Sequence, residues 1–367
     1  MEQKSEPLLE VKDLELIFSS DFGDRTVTDH ISFHVNAGET LGIVGESGCG
    51  KSVTSLAIMG LLARNGRVNA GSIVLRSRRK PEGKDLLRLT RRELDEVRGR
   101  DISMIFQDAL ASLNPVFSIG NQVVEAVCAH QTMDRREAAA RAEELLRRVG
   151  LPDPEAAMRK YPFQLSGGMR QRVMIAMALA GKPELLIADE ATTALDVTIQ
   201  AQIMRMIRDI RREMQMSMLL ITHDIGLIAE MSDRVIVMYA GQIVEEADVY
   251  ELFRNPLHPY TRLLIAATPG MYDAPDRKLA AIPGTVPENY TDIIGCRFAD
   301  RCPYVTTECV KPQENREFSP GHSARCHLAA QIPAADTGAG AAGQTQPTEG
   351  VFAARASHQG ASAWRDS

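Results

Sequence analysis

The residues best placed to do chemistry are Gly45-Glu46-Ser47-Gly48-Cys49-Gly50-Lys51-Ser52. Glycines at these spacings let consecutive backbone N–H groups turn toward one centre, and a helix opening behind them adds its partial positive charge. The Lys51 ammonium can then reach β- and γ-phosphates, and the Ser52 hydroxyl suits Mg²⁺. A phosphate cradle of this kind needs an acid for its metal, and Asp189-Glu190 supplies one. Asp189 would hold Mg²⁺ directly or through water, while Glu190 would polarise a water for in-line attack on a γ-phosphate. A second anion site is readable at Leu165-Ser166-Gly167-Gly168, where a serine starts a helix and two glycines follow. A glycine-rich turn alone is weak; all the fixed positions together, between a strand and a helix, read as a nucleoside triphosphate site.

These groups are useful only if the elements around them hold them. The apolar run Leu41–Val44 reads as a strand feeding the cradle, and Lys51 to about Ala63 as the helix leaving it. Ile102–Phe106 reads as a buried strand ending at Gln107, Leu185–Ala188 as one ending at Asp189, and Ser217–Thr222 as one ending at His223. Arg234–Met238 is a further strand, and Gln200–Arg212 a helix. The helix from Ser166 runs to Ala180 and stops at Gly181 and Pro183, with Ala176, Ala178 and Ala180 allowing close packing. Asp134 and Glu137 form a capping box for a helix that Gly150 ends. Leu8–Phe18 and Ile31–Val35 read as early strands, and Gly66–Leu87 as a hairpin whose basic run, Arg76 to Lys80, is more simply a solvated turn than a phosphate or lipid contact. Strands alternating with helices predict an α/β fold, a mostly parallel sheet covered on both faces.

The chain has 367 residues, enough for two domains, and 42 Lys plus Arg against 48 Asp plus Glu give a net charge of −6, which speaks against nucleic acid as a partner. Met1 to Glu10 has no apolar core of a signal peptide, and no run of about 18 apolar residues could cross a membrane. Six cysteines without a signal peptide argue for a reducing compartment, the cytoplasm. Past residue 250 prolines recur, and Cys296, Cys302, Cys309 and Cys326 fall close together, as in a second, smaller module. Their gaps of five, six and sixteen residues contain no paired C-x-x-C, which disfavours a zinc ribbon. Four thiolates on irregular loops suit a [4Fe–4S] cluster, with zinc (His322 and His327 as spare ligands) and unliganded thiols as the other readings. Residues 329–367, rich in Ala, Gly, Gln, Ser and Thr, read as a disordered tail.

With the cradle, the Leu165–Arg172 stretch and the acid strand in order, the chain resembles the ATP-binding subunits of ABC transporters to about residue 328. That resemblance implies a P-loop NTPase core (residues 1–250) with an antiparallel β subdomain and a helical subdomain near 108–182, followed by a Cys-containing C-terminal domain over 251–328. Leu165–Arg172 is similar to the family's signature motif, so Ser166, Gly167 and Gly168 would face the γ-phosphate held by a second subunit. Gln107 matches the glutamine that senses nucleotide, Mg²⁺ and the membrane partner. Asp196, in Thr193-Ala194-Leu195-Asp196, matches the loop linking two sites across the dimer, and His223 the histidine at the γ-phosphate. Phe18 or a neighbouring aromatic would stack on adenine, although alternation equally suits a core role. Cys49 stands where serine is common, implying sensitivity to thiol reagents, and Ala191 follows Glu190 where proline is common.

Asn255-Pro256-Leu257-His258-Pro259-Tyr260-Thr261, Ile282-Pro283-Gly284, Gly295-Cys296-Arg297-Phe298 and Arg301-Cys302-Pro303 resemble the oligopeptide and dipeptide permease ATPases. In the first domain, Ser103–Asp108 and Ser112–Pro115 are similar to the same branch. The branch implies an importer ATPase at the cytoplasmic face of the inner membrane, driving peptide uptake through two membrane permease subunits. Its partner ATPase would be homologous but different, its cargo would arrive on an extracytoplasmic binding protein, and its cysteine set is associated with an iron–sulfur cluster. Nickel-chelate or glutathione import uses similar subunits. A soluble ABC ATPase fits less well: about 115 residues separate Lys51 from Ser166, too few for a long coiled coil, and the chain has one cassette.

Overall fold

The structure, a computed structural model, describes residues 6–21, 23–108, 112–131, 133–192, 196–268, 282–287 and 290–332. Twelve strands are present among these residues: β1 (Leu9–Ser20), β2 (Gly23–Val35), β3 (Thr40–Val44), β4 (Gly66–Ser77), β5 (Lys80–Asp85), β6 (Ile102–Ile105), β7 (Leu185–Asp189), β8 (Ser217–Thr222), β9 (Arg234–Tyr239), β10 (Gln242–Asp248), β11 (Arg316–Ser319) and β12 (His322–Ala324). They form a four-stranded antiparallel sheet, β2-β1-β4-β5, and an eight-stranded sheet ordered β11-β12-β10-β9-β3-β8-β7-β6. Within the large sheet β6, β7, β8, β3 and β9 run parallel.

The parallel strands are apolar throughout because both of their faces are covered, and the two-residue period sends alternate side chains to separate cores. Leu41 and Ile43, Leu185 and Ile187, and Leu219 and Ile221 pack with Leu9, Leu14, Ile31 and Phe33 of the antiparallel sheet. Their neighbours Val44, Leu186, Ala188, Met218 and Leu220 point the other way, onto the helical core. That second core contains buried faces of the helices Ile119–His130, Arg135–Arg148, Gly167–Leu179 and Val197–Met214. The Asp134 side chain accepts from Arg136 N and Glu137 N at 2.8 Å each, and the capping box is complete.

The basic run Arg76 to Lys80 divides: Arg78, Arg79 and Lys80 are exposed at the turn between β4 and β5, as expected of a solvated turn, whereas Arg76 is largely covered and pairs with Glu6 and Glu10. Part of the C-terminal stretch joins the large sheet. β12 pairs antiparallel with β10, and β11 with β12, so both extend the large sheet. A proline-rich sequence hides this, because the pairing depends on the free edge of β10, which only the folded sheet presents. The proposed tail lies outside the described residues from residue 333 onward, as do Thr193, Ala194 and Leu195. No described helix is long and apolar enough to cross a membrane.

Candidate functional site

In an open parallel sheet, ligands bind beyond the carboxyl ends of the strands. β3 ends at the cradle, β7 at Asp189, β8 one residue before His223 and β6 two before Gln107. The order β3-β8-β7-β6 therefore brings segments scattered through the chain to one edge.

The cradle has the backbone such a site needs. Gly45, Gly48 and Gly50 have φ of 158°, 81° and 101°. A Cβ on Gly45 would stand 2.1 Å from the Met238 carbonyl oxygen, so a side chain there would break the loop's seating on β9. Gly50 caps the helix Lys51–Ile58. Lys51 is 4% exposed, and its ammonium donates to the carbonyls of Gly45 at 2.8 Å and Glu46 at 2.9 Å. Its charge thus sits inside the loop, where a phosphate chain would lie. Cys49 is fully buried with its sulfur 3.7 Å from Lys51 Nζ, and burial pushes its thiol up. This corrects the expected sensitivity to thiol reagents, since a reagent meets neither an exposed sulfur nor a ready thiolate.

Ser52 Oγ donates to Asp189 Oδ1 at 2.9 Å, and Ser55 Oγ to Asp189 Oδ2 at 3.2 Å. Burial pushes the Asp189 carboxyl up, while the two hydroxyls pull it down. A hydroxyl and a carboxylate oxygen in contact beside the cradle are the donor set that a hard cation such as Mg²⁺ takes, so the residues fit the metal. Ser55 escaped the sequence reading; its position one helical turn from Ser52 was the available signal.

Glu190 has φ 46°, a left-handed conformation costing a non-glycine residue about 1 kcal/mol or more, and such strain gathers at functional positions. Its amide donates to Ile221 O at 2.8 Å, seating it on β8. Gln107 Nε2 donates to one carboxylate oxygen at 2.8 Å, and His223 Nδ1 lies 3.3 Å from the other. The carboxylate is thereby held between two side chains that themselves remain accessible.

Among the described residues, the hydrogen bonds of Ser166 and Asp196 are local helix caps and do not join them to this cluster. Ser166 accepts from Met169 N at 3.4 Å, so it caps the helix Gly167–Leu179. Asp196 likewise accepts from Ile199 N at 3.0 Å and caps Val197–Met214. Gly168 is the close-packing point between these two helices: a Cβ there would meet Ile199 at 3.0 Å. Phe18 lies opposite Arg25 and Gly66, with its ring against Gly66 and half-buried.

Cys296, Cys302, Cys309 and Cys326 line one cavity of about 10 Å³ together with His258 and His327. Burial pushes the thiols of Cys296 and Cys302 up to about 12. His322 is not part of this group: it is buried and bonded to Glu245 at 2.8 Å. The donor types suit a cluster, yet no set of three or more metal-ligating side chains among the described residues stands in metal-holding geometry.

The comparisons agree with this geometry. Residues 28–193 match the ABC transporter family, and residues 244–309 the oligopeptide/dipeptide transporter C-terminal region. A probable peptide ABC transporter ATP-binding protein of Sinorhizobium fredii is 50% identical over 88% of this chain and 95% of its own length. The dipeptide transport ATP-binding protein DppD of Escherichia coli is 46% identical over 87% of this chain and 96% of its own. A dimeric ATP-binding cassette, MJ0796, solved in a post-hydrolysis state with ADP and Pi, superposes with a TM-score of 0.58 at 26% identity, covering 66% of this chain and 98% of that one. With the phosphate loop, the acid strand and the matching C-terminal region all in place, this chain belongs to the ATP-hydrolysing subunits of ABC transporters, in the oligopeptide/dipeptide branch.

Proposed function

We propose that this chain binds and hydrolyses ATP to drive peptide uptake through a membrane permease. One observation carries the catalytic part: Glu190 held between Gln107 and His223, next to an Asp189 that touches Ser52. The cradle amides and Lys51 bind the triphosphate. Ser52 and Asp189 would hold Mg²⁺, which when bound would supply positive charge to offset that of the triphosphate. Glu190 takes the proton of the attacking water, and Gln107 and His223 orient its carboxylate. The likeness of Leu165–Arg172 to the family's signature motif supports a second wall of each site supplied by another protomer, with the signature helix of one facing the phosphate loop of the other. That second protomer is a homologous ATPase.

Two permease subunits form the membrane partner, supplied by an extracytoplasmic peptide-binding protein, with this chain peripheral on the cytoplasmic face of the inner membrane. Apolar exposure supports a docking face. Val116 is 71% exposed, Phe117 51% and Phe163 67%. The Ile119 N to Lys160 O hydrogen bond of 2.8 Å joins the two segments that carry them. Deleting the coding sequence should abolish uptake of a labelled dipeptide or oligopeptide, the wild-type chain restoring it and Glu190→Gln not. Intact peptide uptake with loss of nickel-chelate or glutathione uptake would overturn the peptide assignment.

We also propose that Cys296, Cys302, Cys309 and Cys326 hold a [4Fe–4S] cluster, supported by their convergence on one cavity from separated positions. Protein purified without oxygen should be brown, absorb near 400 nm and contain about four irons per chain. A colourless preparation with one zinc per chain would reject it.

A further inference from the structure

Glu46 is an electrostatic anomaly. It follows Gly45 inside a loop built to surround a triphosphate, where a carboxylate would repel the ligand. The Lys51 ammonium does not neutralise it directly, being bonded to the carbonyls of Gly45 and Glu46. The partner is Arg301, 255 residues away: Nη1 donates to Glu46 Oε2 at 2.6 Å and Nη2 to Oε1 at 2.9 Å. This two-pronged geometry is specific to a guanidinium and stronger than a single ion pair. The Arg301 side chain is 6% exposed. Its Nε donates to Pro283 O at 2.7 Å and Nη1 also to the Tyr239 hydroxyl at 3.2 Å, so the fork is held from behind. Tyr260, also from the C-terminal stretch, accepts from Glu46 N at 2.9 Å. Arg297 adds a second brace, donating to Ala240 O and Asp29 Oδ2 at 2.6 Å each. Both arginines lie in the loop bounded by Cys296 and Cys302.

We propose that Arg301 is a positioning residue for nucleotide: it neutralises Glu46 and turns that carboxylate out of the phosphate path. The C-terminal segment carrying it is therefore a working part of the ATP site of its own chain. The inference rests on the reading of residues 45–52 as the phosphate loop.

The test titrates MgATP against the full chain and follows steady-state ATPase kinetics. Arg301→Gln strands the carboxylate and should weaken MgATP about tenfold, which is about 1.4 kcal/mol, raising KM with a smaller effect on kcat. Glu46→Gln/Arg301→Gln removes the stranded charge as well and should recover most of the affinity. A merely structural arginine would not show that recovery. Wild-type affinity in Arg301→Gln, or a double variant as weak as the single one, overturns the proposal. If Arg301→Gln does not fold but the double variant folds and binds, the lone carboxylate is the lesion and the proposal stands; if neither folds, it falls. Lys51→Ala separates the two levels. Unchanged binding there removes the phosphate-loop reading, whereas loss there beside normal affinity in Arg301→Gln removes only the role of Arg301.

Discussion

Glu190→Gln is expected to bind MgATP normally and to hydrolyse it about a thousandfold more slowly than wild type, the range in which a positioned general base contributes. The change is nearly isosteric. An amide at this position keeps an oxygen for the Gln107 Nε2 donor and a group within reach of His223 Nδ1, so the site's shape survives. What disappears is the negative charge that accepts a proton. The left-handed backbone at φ 46° is already required of a non-glycine residue, and glutamine adopts it at much the same cost as glutamate. Because binding persists while turnover does not, ATP should accumulate between two protomers. Size-exclusion chromatography of the variant with ATP, or with its homologous partner, should show a dimer that the wild type forms only transiently. Wild-type turnover in the variant would remove Glu190 from the role assigned to it.

Lys51→Ala should weaken ATP about a hundredfold or more, read by calorimetric titration. The ammonium is buried and satisfied by two carbonyls, so in the absence of nucleotide it already stands inside the loop. It has little conformational freedom left to lose when a phosphate arrives. Charged hydrogen bonds are worth about 1.5–3 kcal/mol each, and losing two phosphate contacts gives the stated factor. Removing the side chain also leaves the Gly45 and Glu46 carbonyls without their donor. A thermal melt alongside the titration therefore separates a loosened loop from a lost charge: a melt close to wild type assigns the affinity loss to the missing ammonium. Undiminished ATP binding would count against the cradle.

The site was legible wherever neighbours in sequence are neighbours in space. The phosphate loop is eight consecutive residues, and its glycines and lysine reveal themselves by spacing. The capping box at Asp134 and Glu137 spans one helical turn and forms as expected. Strand ends were readable because apolar runs stop at polar residues, as Leu185–Ala188 does before Asp189. What misled was context. Arg76 looked like part of a free basic run until Glu6 and Glu10 were seen beside it. Cys49 looked reactive until its burial was known. The helix Ile119–His130 went unread, although Ile119, Val123 and Val127 recur at helical spacing and Ser118 caps it by accepting from Asn121 N.

By itself the amino-acid sequence determined the local chemistry: a loop able to surround phosphate, an acid pair at a strand end, a serine and two glycines opening a helix. These follow from backbone freedom and short-range hydrogen bonding, which need only adjacent residues. The tertiary structure alone decided which of these groups meet. Ser52 touches Asp189 across 137 positions because β3, β8 and β7 lie side by side, an order set by burying both faces of the parallel sheet. Gln107 reaches Glu190 for the same reason. Arg301 reaches Glu46 because the C-terminal segment folds back over the phosphate loop, a contact whose two ends carry no pattern that spacing could reveal.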